Sequence, residues 1–302
     1  LLSGLAAVVP TAQANGLFNT LLGKLSSEAT ADGTPVAGAD SAGARLLARM
    51  AQSQLSFGLD AQQVETRATP VAGMFEVVER SNGHLVAYTN DAGTLYGDSR
   101  GFRALQPTGD RPLTVDESAA LRREMLARLD PSFLIRVTYG DGGGRQILLR
   151  SAIDCAGCRM MEGMLAAHAA ELNTTFVVLP SSLAPIDAPD GPARWNQAAQ
   201  ILCATDAGRA WKTYWHDQNT PHQIGCTHDG EALATADRQL SDLLMATGER
   251  VSVVPKLYAE DGATVPAIQQ EKHAQHLDMF YGPPGKPAAA HAPGVSWLTT
   301  SP

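Results

Sequence analysis

No block of lysine or arginine occurs anywhere in the 302 residues, and the formal net charge is −8. A nucleic-acid footprint, or an electrostatic hold on an anionic membrane, is therefore not supported. After the first residues, no apolar run reaches the roughly 20 residues that span a bilayer. The glycine cluster Gly140-Asp141-Gly142-Gly143-Gly144 lacks the G-x-x-x-x-G-K-[ST] pattern of a phosphate loop, so it reads as a hairpin turn. No Ser/His/Asp arrangement is legible. Cysteine is scarce, at 4 residues in a chain long enough to bury a proper core. A small disulfide-built scaffold is excluded. Zinc held by four cysteines would need two closely spaced pairs, and the sequence has one.

That pair is the most informative feature present. Cys155-Ala156-Gly157-Cys158 follows the apolar run Ile147-Leu148-Leu149 and precedes a helical pattern from Arg159 to Glu171. A strand that ends in C-x-x-C and opens a helix is a thioredoxin-type redox motif. Two intervening residues let one helical turn bring both sulfurs within bonding reach. The first sulfur falls at the helix N-terminus, where unpaired N–H groups and the helix dipole favour a thiolate. Cys155 is thus the expected nucleophile and the more exposed sulfur. Cys158 is the expected resolving thiol, attacking the mixed disulfide to release the substrate. Asp154, just before the nucleophile, is expected to oppose thiolate formation if it lies close.

Three further features bear on the chemistry. Pro255 follows Val253-Val254 in an expected strand from Val251 to Tyr258, where a residue without an N–H is out of place. In thioredoxin folds a cis-proline faces the C-x-x-C, so Val254 and Pro255 are expected to form the ledge for a bound peptide. Cys203 and Cys226 are too far apart for a zinc knuckle. In an exported protein they are expected to form a structural disulfide, worth about 3 kcal/mol in the chain-entropy model. Met160, Met161 and Met164 follow the motif. Beside two cysteines they admit a copper(I) reading, but methionines filling the core face of the helix account for them better. Trp211 and Trp215 are expected in the core, and Glu271, His273 and His276 on a solvated helix face.

Leu1 to Pro10 is apolar and Ala12-Gln13-Ala14 follows, which reads as the tail of a secretory signal peptide with its cleavage site. Export implies an oxidising compartment in which disulfides persist.

The expected organisation has six parts: a signal-peptide remnant (1–14), a flexible and partly helical extension (15–63), a small strand-rich domain (64–112), a linker helix (113–131), a catalytic domain (132–281) and a Pro/Ala-rich disordered tail (282–302). Short strands separated by Ser81-Asn82-Gly83 and Asn90-Asp91-Ala92-Gly93 make the strand-rich domain a meander. Thr114-Val115-Asp116-Glu117 is a capping box that opens the linker helix, and Asp130-Pro131 closes it. In the catalytic domain the strand at Thr174–Leu179 is expected to run parallel to the one before the motif, with a right-handed crossover. Helices are expected around Trp195–Cys203, at Arg209–Trp215, Asp237–Met245 and Ala267–Phe280.

In order, the Pro70-Val71-Ala72-Gly73-Met74 entry, the meander, the capped helix, the Cys155/Cys158 site, the Cys203/Cys226 pair, Val254-Pro255 and Gly262-Ala263-Thr264-Val265-Pro266 resemble the DsbC/DsbG family of periplasmic disulfide isomerases. The likeness runs from about Val64 to Tyr281. Ala156-Gly157 departs from it, lacking the aromatic residue these isomerases carry before the second cysteine. The resemblance implies an α/β thioredoxin-like domain with an inserted helical region. A small α+β, cystatin-like dimerisation domain and a linker helix would precede it. It further implies a periplasmic homodimer, misfolded exported proteins as clients, a membrane thiol electron donor of the DsbD type, and no diffusible cofactor. A thiol oxidase, and a client-specific reductase or chaperone of an envelope assembly, stand as alternatives.

Overall fold

The computed structural model describes residues 41–140, 146–172, 174–222, 225–251, 254–259 and 262–265. The expected leader, tail and closing helix lie outside the described residues, as do most of the glycine turn and Glu271, His273 and His276.

Six strands form the first sheet: β1 (Val64–Ala68), β2 (Met74–Glu79), β3 (Leu85–Asn90), β4 (Leu95–Asp98), β5 (Gly101–Leu105) and β6 (Asp110–Pro112). Each lies beside its sequence neighbour and runs antiparallel to it. Helix α1 (Ala42–Gln52) precedes them, its N-terminus capped by Ser41 Oγ, which accepts the Ala44 N–H at 3.1 Å. Its apolar stripe buries Leu46 and Met50 against Val64, Val77 and Ala87. Residues 42–52 were expected in an extension outside the strand-rich unit. They instead cover one face of its sheet, where the apolar stripe of α1 is taken out of water.

Helix α2 (Val115–Ala127) carries the expected capping box. Thr114 Oγ1 accepts the Glu117 N–H at 3.2 Å and the Glu117 carboxylate accepts the Thr114 N–H at 2.8 Å. Leu121, Met125 and Leu126 are buried, with Leu129 just beyond the helix end. Their neighbours come from both halves of the molecule: Tyr88 and Phe102 of the first sheet, Leu148 and Val177 of the second, and Leu240 and Leu244 of a later helix. The helix is therefore a packed layer between the sheets, and not a free linker. One core spans the join.

The second sheet holds β7 (Ile135–Tyr139), β8 (Gln146–Ala152), β9 (Thr174–Ser181), β10 (Lys256–Tyr258) and β11 (Thr264–Val265), in the order β11-β10-β8-β9-β7. β8 and β9 are parallel and joined through α3 (Ala156–Ala167) and the short α4 (Ala169–Leu172). β10 is antiparallel to β8, β11 to β10, and β7 to β9. Strand, helix, parallel strand, then two antiparallel strands on the far side of the first is the thioredoxin-type order, with β7 added at one edge. Between β9 and β10 stand α5 (Gly191–Leu202), α6 (Ala207–Asp217) and α7 (Gly230–Ala246).

Two boundaries differ from expectation. α7 starts at Gly230, seven positions earlier than expected, where Asp229 caps it by accepting the Ala232 N–H at 2.8 Å. β10 starts at Lys256, so Pro255 precedes the strand and its missing N–H costs the ladder nothing.

Candidate redox site

β8 runs Ile147-Leu148-Leu149 through the core and ends at Ala152, and a two-residue turn delivers Cys155 to the start of α3. Cys155 is the N-cap: its Sγ accepts the Cys158 N–H at 3.1 Å. A sulfur in this position takes up one of the four N–H groups that a helix start leaves unpaired. Both cysteines are free thiols. Cys155 is 7% exposed and Cys158 fully buried. Cys155 thus has less open surface than expected, because Trp215 and Val254 pack against the pair.

The cysteine pair and the proline meet across this site. Cys155 Sγ donates to the Val254 carbonyl at 3.6 Å, and the Val254–Pro255 peptide is cis. Gly157 lies between them. A Cβ there would sit 3.6 Å from Pro255 Cδ and 3.8 Å from Cys155 Sγ, in ordinary contact. Cys203 and Cys226 are bonded to each other elsewhere, at the end of α5 and before α7, with Cα atoms 5.3 Å apart.

Burial pushes the Cys158 thiol up to about 12, and its contact with Cys155 adds to the rise. The Ala152 backbone and the Ser151 hydroxyl act against it by favouring the charged sulfur. Cys158 therefore stays a neutral thiol until something demands its electrons. Asp154 does not aim at the sulfurs. Its carboxylate accepts the Ser182 hydroxyl at 2.8 Å, the Leu183 N–H at 2.7 Å and the Ala184 N–H at 3.2 Å, which ties the β9–α5 loop to the active-site turn.

The methionines divide. Met161 is buried and Met164 packs on the core, while Met160 is 59% exposed. Trp211 is in the core as expected, edge-on to Trp215 at 5.6 Å. The contact of Trp215 with the cysteines had no sequence signal beyond its spacing from Trp211.

Sequence reasoning also passed over two ionisable residues close to the site, Glu162 and Arg150. Glu162, one turn beyond Cys158, is 3% exposed. It accepts the Tyr139 hydroxyl at 2.8 Å and the Trp211 Nε1–H at 2.9 Å. Burial raises its carboxyl to about 7, against those two bonds and the charge of Lys212. Arg150 holds Asp237 beneath the sheet. The only signal for either was one charged residue inside an apolar run. No described helix is long and apolar enough to cross a membrane.

No family model matches the chain, and no curated protein does. Solved structures of disulfide interchange proteins are similar to it at low identity. A disulfide interchange protein from Neisseria gonorrhoeae is 16% identical, with 51% of this chain and 98% of that one covered and a TM-score of 0.39. ScsC from Proteus mirabilis in a compact conformation is 15% identical over 50% of this chain and 72% of its own, with a TM-score of 0.34. DsbG from Helicobacter pylori is 12% identical over 66% of this chain and 88% of its own, with a TM-score of 0.32. Likeness at this level leaves the chemistry to be argued from the site.

Proposed function

We propose that the protein is a thiol:disulfide interchange enzyme that reduces or isomerises non-native disulfides in exported proteins. The observation that carries the proposal is the placement of the Cys155 sulfur, which caps α3 3.6 Å from the Val254 carbonyl. A nucleophile and a backbone acceptor for an extended peptide then share one small surface. The Cys155 thiolate attacks a client cystine, forms a mixed disulfide and expels the other client sulfur as a thiolate. The client either rearranges or is released when Cys158 closes on Cys155. Val254 and Pro255 form the ledge on which the client backbone lies. Cys203–Cys226 is structural.

Each time Cys158 closes on Cys155 the pair loses two electrons, and an external thiol donor, a membrane donor of the DsbD type, restores the dithiol. The protein acts in the periplasm after removal of a signal peptide. The first sheet serves as the dimerisation unit of a homodimer. Since α1 covers one face of that sheet and the shared core the other, pairing runs through its edge strands, β1 or β6.

Recovery of activity by scrambled, fully oxidised ribonuclease tests the assignment. The wild-type dithiol accelerates recovery, Cys155→Ala abolishes the effect, and Cys158→Ala accumulates a mixed disulfide with the client. Full acceleration by Cys155→Ala would overturn the proposal in favour of a binding protein whose thiols are idle.

A further inference from the structure

Cys158 has a difficulty that its neighbour does not. It is fully buried, and no solvent reaches it to steady a negative sulfur. Beside it stands a residue with no evident task. Ser151 is fully buried, and its Oγ has no hydrogen-bond partner among the described residues. A buried hydroxyl left unpaired is costly, and its persistence calls for an account.

The strand places that hydroxyl. Side chains alternate along β8, so Ser151 shares a face with Ile147 and Leu149. Those two pack in the same core as Met161 and Leu165 of α3. Ser151 therefore looks toward the active-site helix from one residue before the end of the strand. The next residue, Ala152, packs directly with both cysteines. The Ser151 hydroxyl and the Ala152 backbone favour a charged Cys158 sulfur through hydrogen bonding, and the Arg150 guanidinium favours it through charge alone.

We propose that Ser151 is the donor that meets the negative charge on Cys158 as this sulfur resolves the mixed disulfide. The inference rests on the interchange reading and adds a residue to it. The proton that Cys158 gives up ends on the client sulfur. The Cys158 sulfur bonds to Cys155 Sγ as the Cys155–client bond breaks, and the client sulfur leaves as a thiolate and takes that proton. The client cystine has then gained two electrons, and the pair Cys155–Cys158 has lost them. The hydroxyl is idle in the dithiol and donates only as charge gathers on the sulfur. A contact stronger in the transition state than in the ground state is one that accelerates a step.

Dithiobis(nitrobenzoate) separates the two attacks. Reaction at Cys155 releases one thionitrobenzoate, and attack by Cys158 releases a second. In Ser151→Ala the second phase slows relative to the first on the order of tenfold to a hundredfold, the range for a hydrogen bond to a charged group. Its pH midpoint moves up by about one unit. Ser151→Val and Ser151→Thr have the same shape, so they isolate the hydroxyl even if Ala disturbs packing. Val is slow, and Thr recovers most of the rate. A second phase unchanged in Ala and Val, or slowed alike in Val and Thr, overturns the role of Ser151 and leaves the interchange reading intact. If Cys155→Ala still gives both phases, the interchange reading itself fails, and the role of Ser151 with it.

Discussion

Arg150 holds Asp237 through two hydrogen bonds of 2.7 Å each, and its remaining arm donates to the Val251 carbonyl at 2.8 Å. One side chain on β8 thereby holds both α7 and the backbone at Val251. Both partners are largely buried, at 15% and 9% side-chain exposure. Removing one member of such a pair strands the other charge. Arg150→Met and Asp237→Asn are each expected to cost about 3–5 kcal/mol in urea unfolding. Arg150→Met combined with Asp237→Leu leaves no stranded charge and should lose less than the two single changes added together. Single losses below about 1 kcal/mol would mean that the pair is effectively solvated.

Glu162 sets a pH dependence. Its carboxyl titrates near 7 in the folded protein, against an ordinary value of 4.5, because burial disfavours the anion. The folded state therefore binds more protons than the unfolded chain between those values. The associated stability is present in full below about pH 4.5 and is lost as pH rises through about 7. The shift corresponds to about 3 kcal/mol. Glu162→Gln keeps the neutral shape and should flatten this slope, gaining on wild type between about pH 5 and pH 8. Urea midpoints across that range decide it, and equal slopes in the two proteins would place the titration elsewhere.

The parts legible in the sequence are those written locally. The strand into Cys155, the helix after it and the parallel return to β9 follow from apolar runs and a two-residue spacing. Thr114 and Glu117 announced α2 because both halves of a capping box lie within one turn. Pro255 was conspicuous because a proline among β-branched residues needs a reason. What stayed hidden depends on distant partners. The apolar stripe of Leu46 and Met50 says that α1 is buried, but not against which sheet. The start of α7 was masked by Gly230, a poor helix former. That glycine is required by packing, since a Cβ there would lie 2.5 Å from the Asn196 backbone nitrogen on α5. Glu162 and Arg150 each sat alone in an apolar run, and Trp211 and Asp237 were too far along the chain to pair with them by eye.

Gly93 tests whether α1 belongs to the first sheet. Its φ is +64°, and a Cβ would fall 2.5 Å from Leu46 N and 2.7 Å from the Arg45 carbonyl carbon. Gly93→Ala therefore carries both a left-handed backbone and a clash with helix backbone that cannot swing aside. A loss of roughly 2–4 kcal/mol is expected, with faster proteolysis around α1. Gly83, with φ +72° and nothing within 4 Å of its would-be Cβ, isolates the backbone part. Gly83→Ala should cost only about 1 kcal/mol. Similar losses at the two sites would mean that α1 is not seated on the turn.

Cys203 and Cys226 lie 23 positions apart, and the chain they enclose includes α6. That helix carries Trp211, Tyr214 and Trp215. Tyr214 donates its hydroxyl to the Ile153 carbonyl at 2.9 Å, and Trp215 packs on the cysteines. The cross-link therefore restricts the unfolded chain in the segment that walls the redox site. Replacing both cysteines by alanine should lower stability by about 3 kcal/mol through the regained loop entropy. The effect on the site is separable from the effect on stability. Under conditions where the variant is still fully folded, α6 keeps its anchors at Glu162 and Ile153, and alkylation of Cys155 should proceed at the wild-type rate. Alkylation that accelerates in the folded variant would show that the bond, and not those anchors, holds Trp215 against the sulfurs.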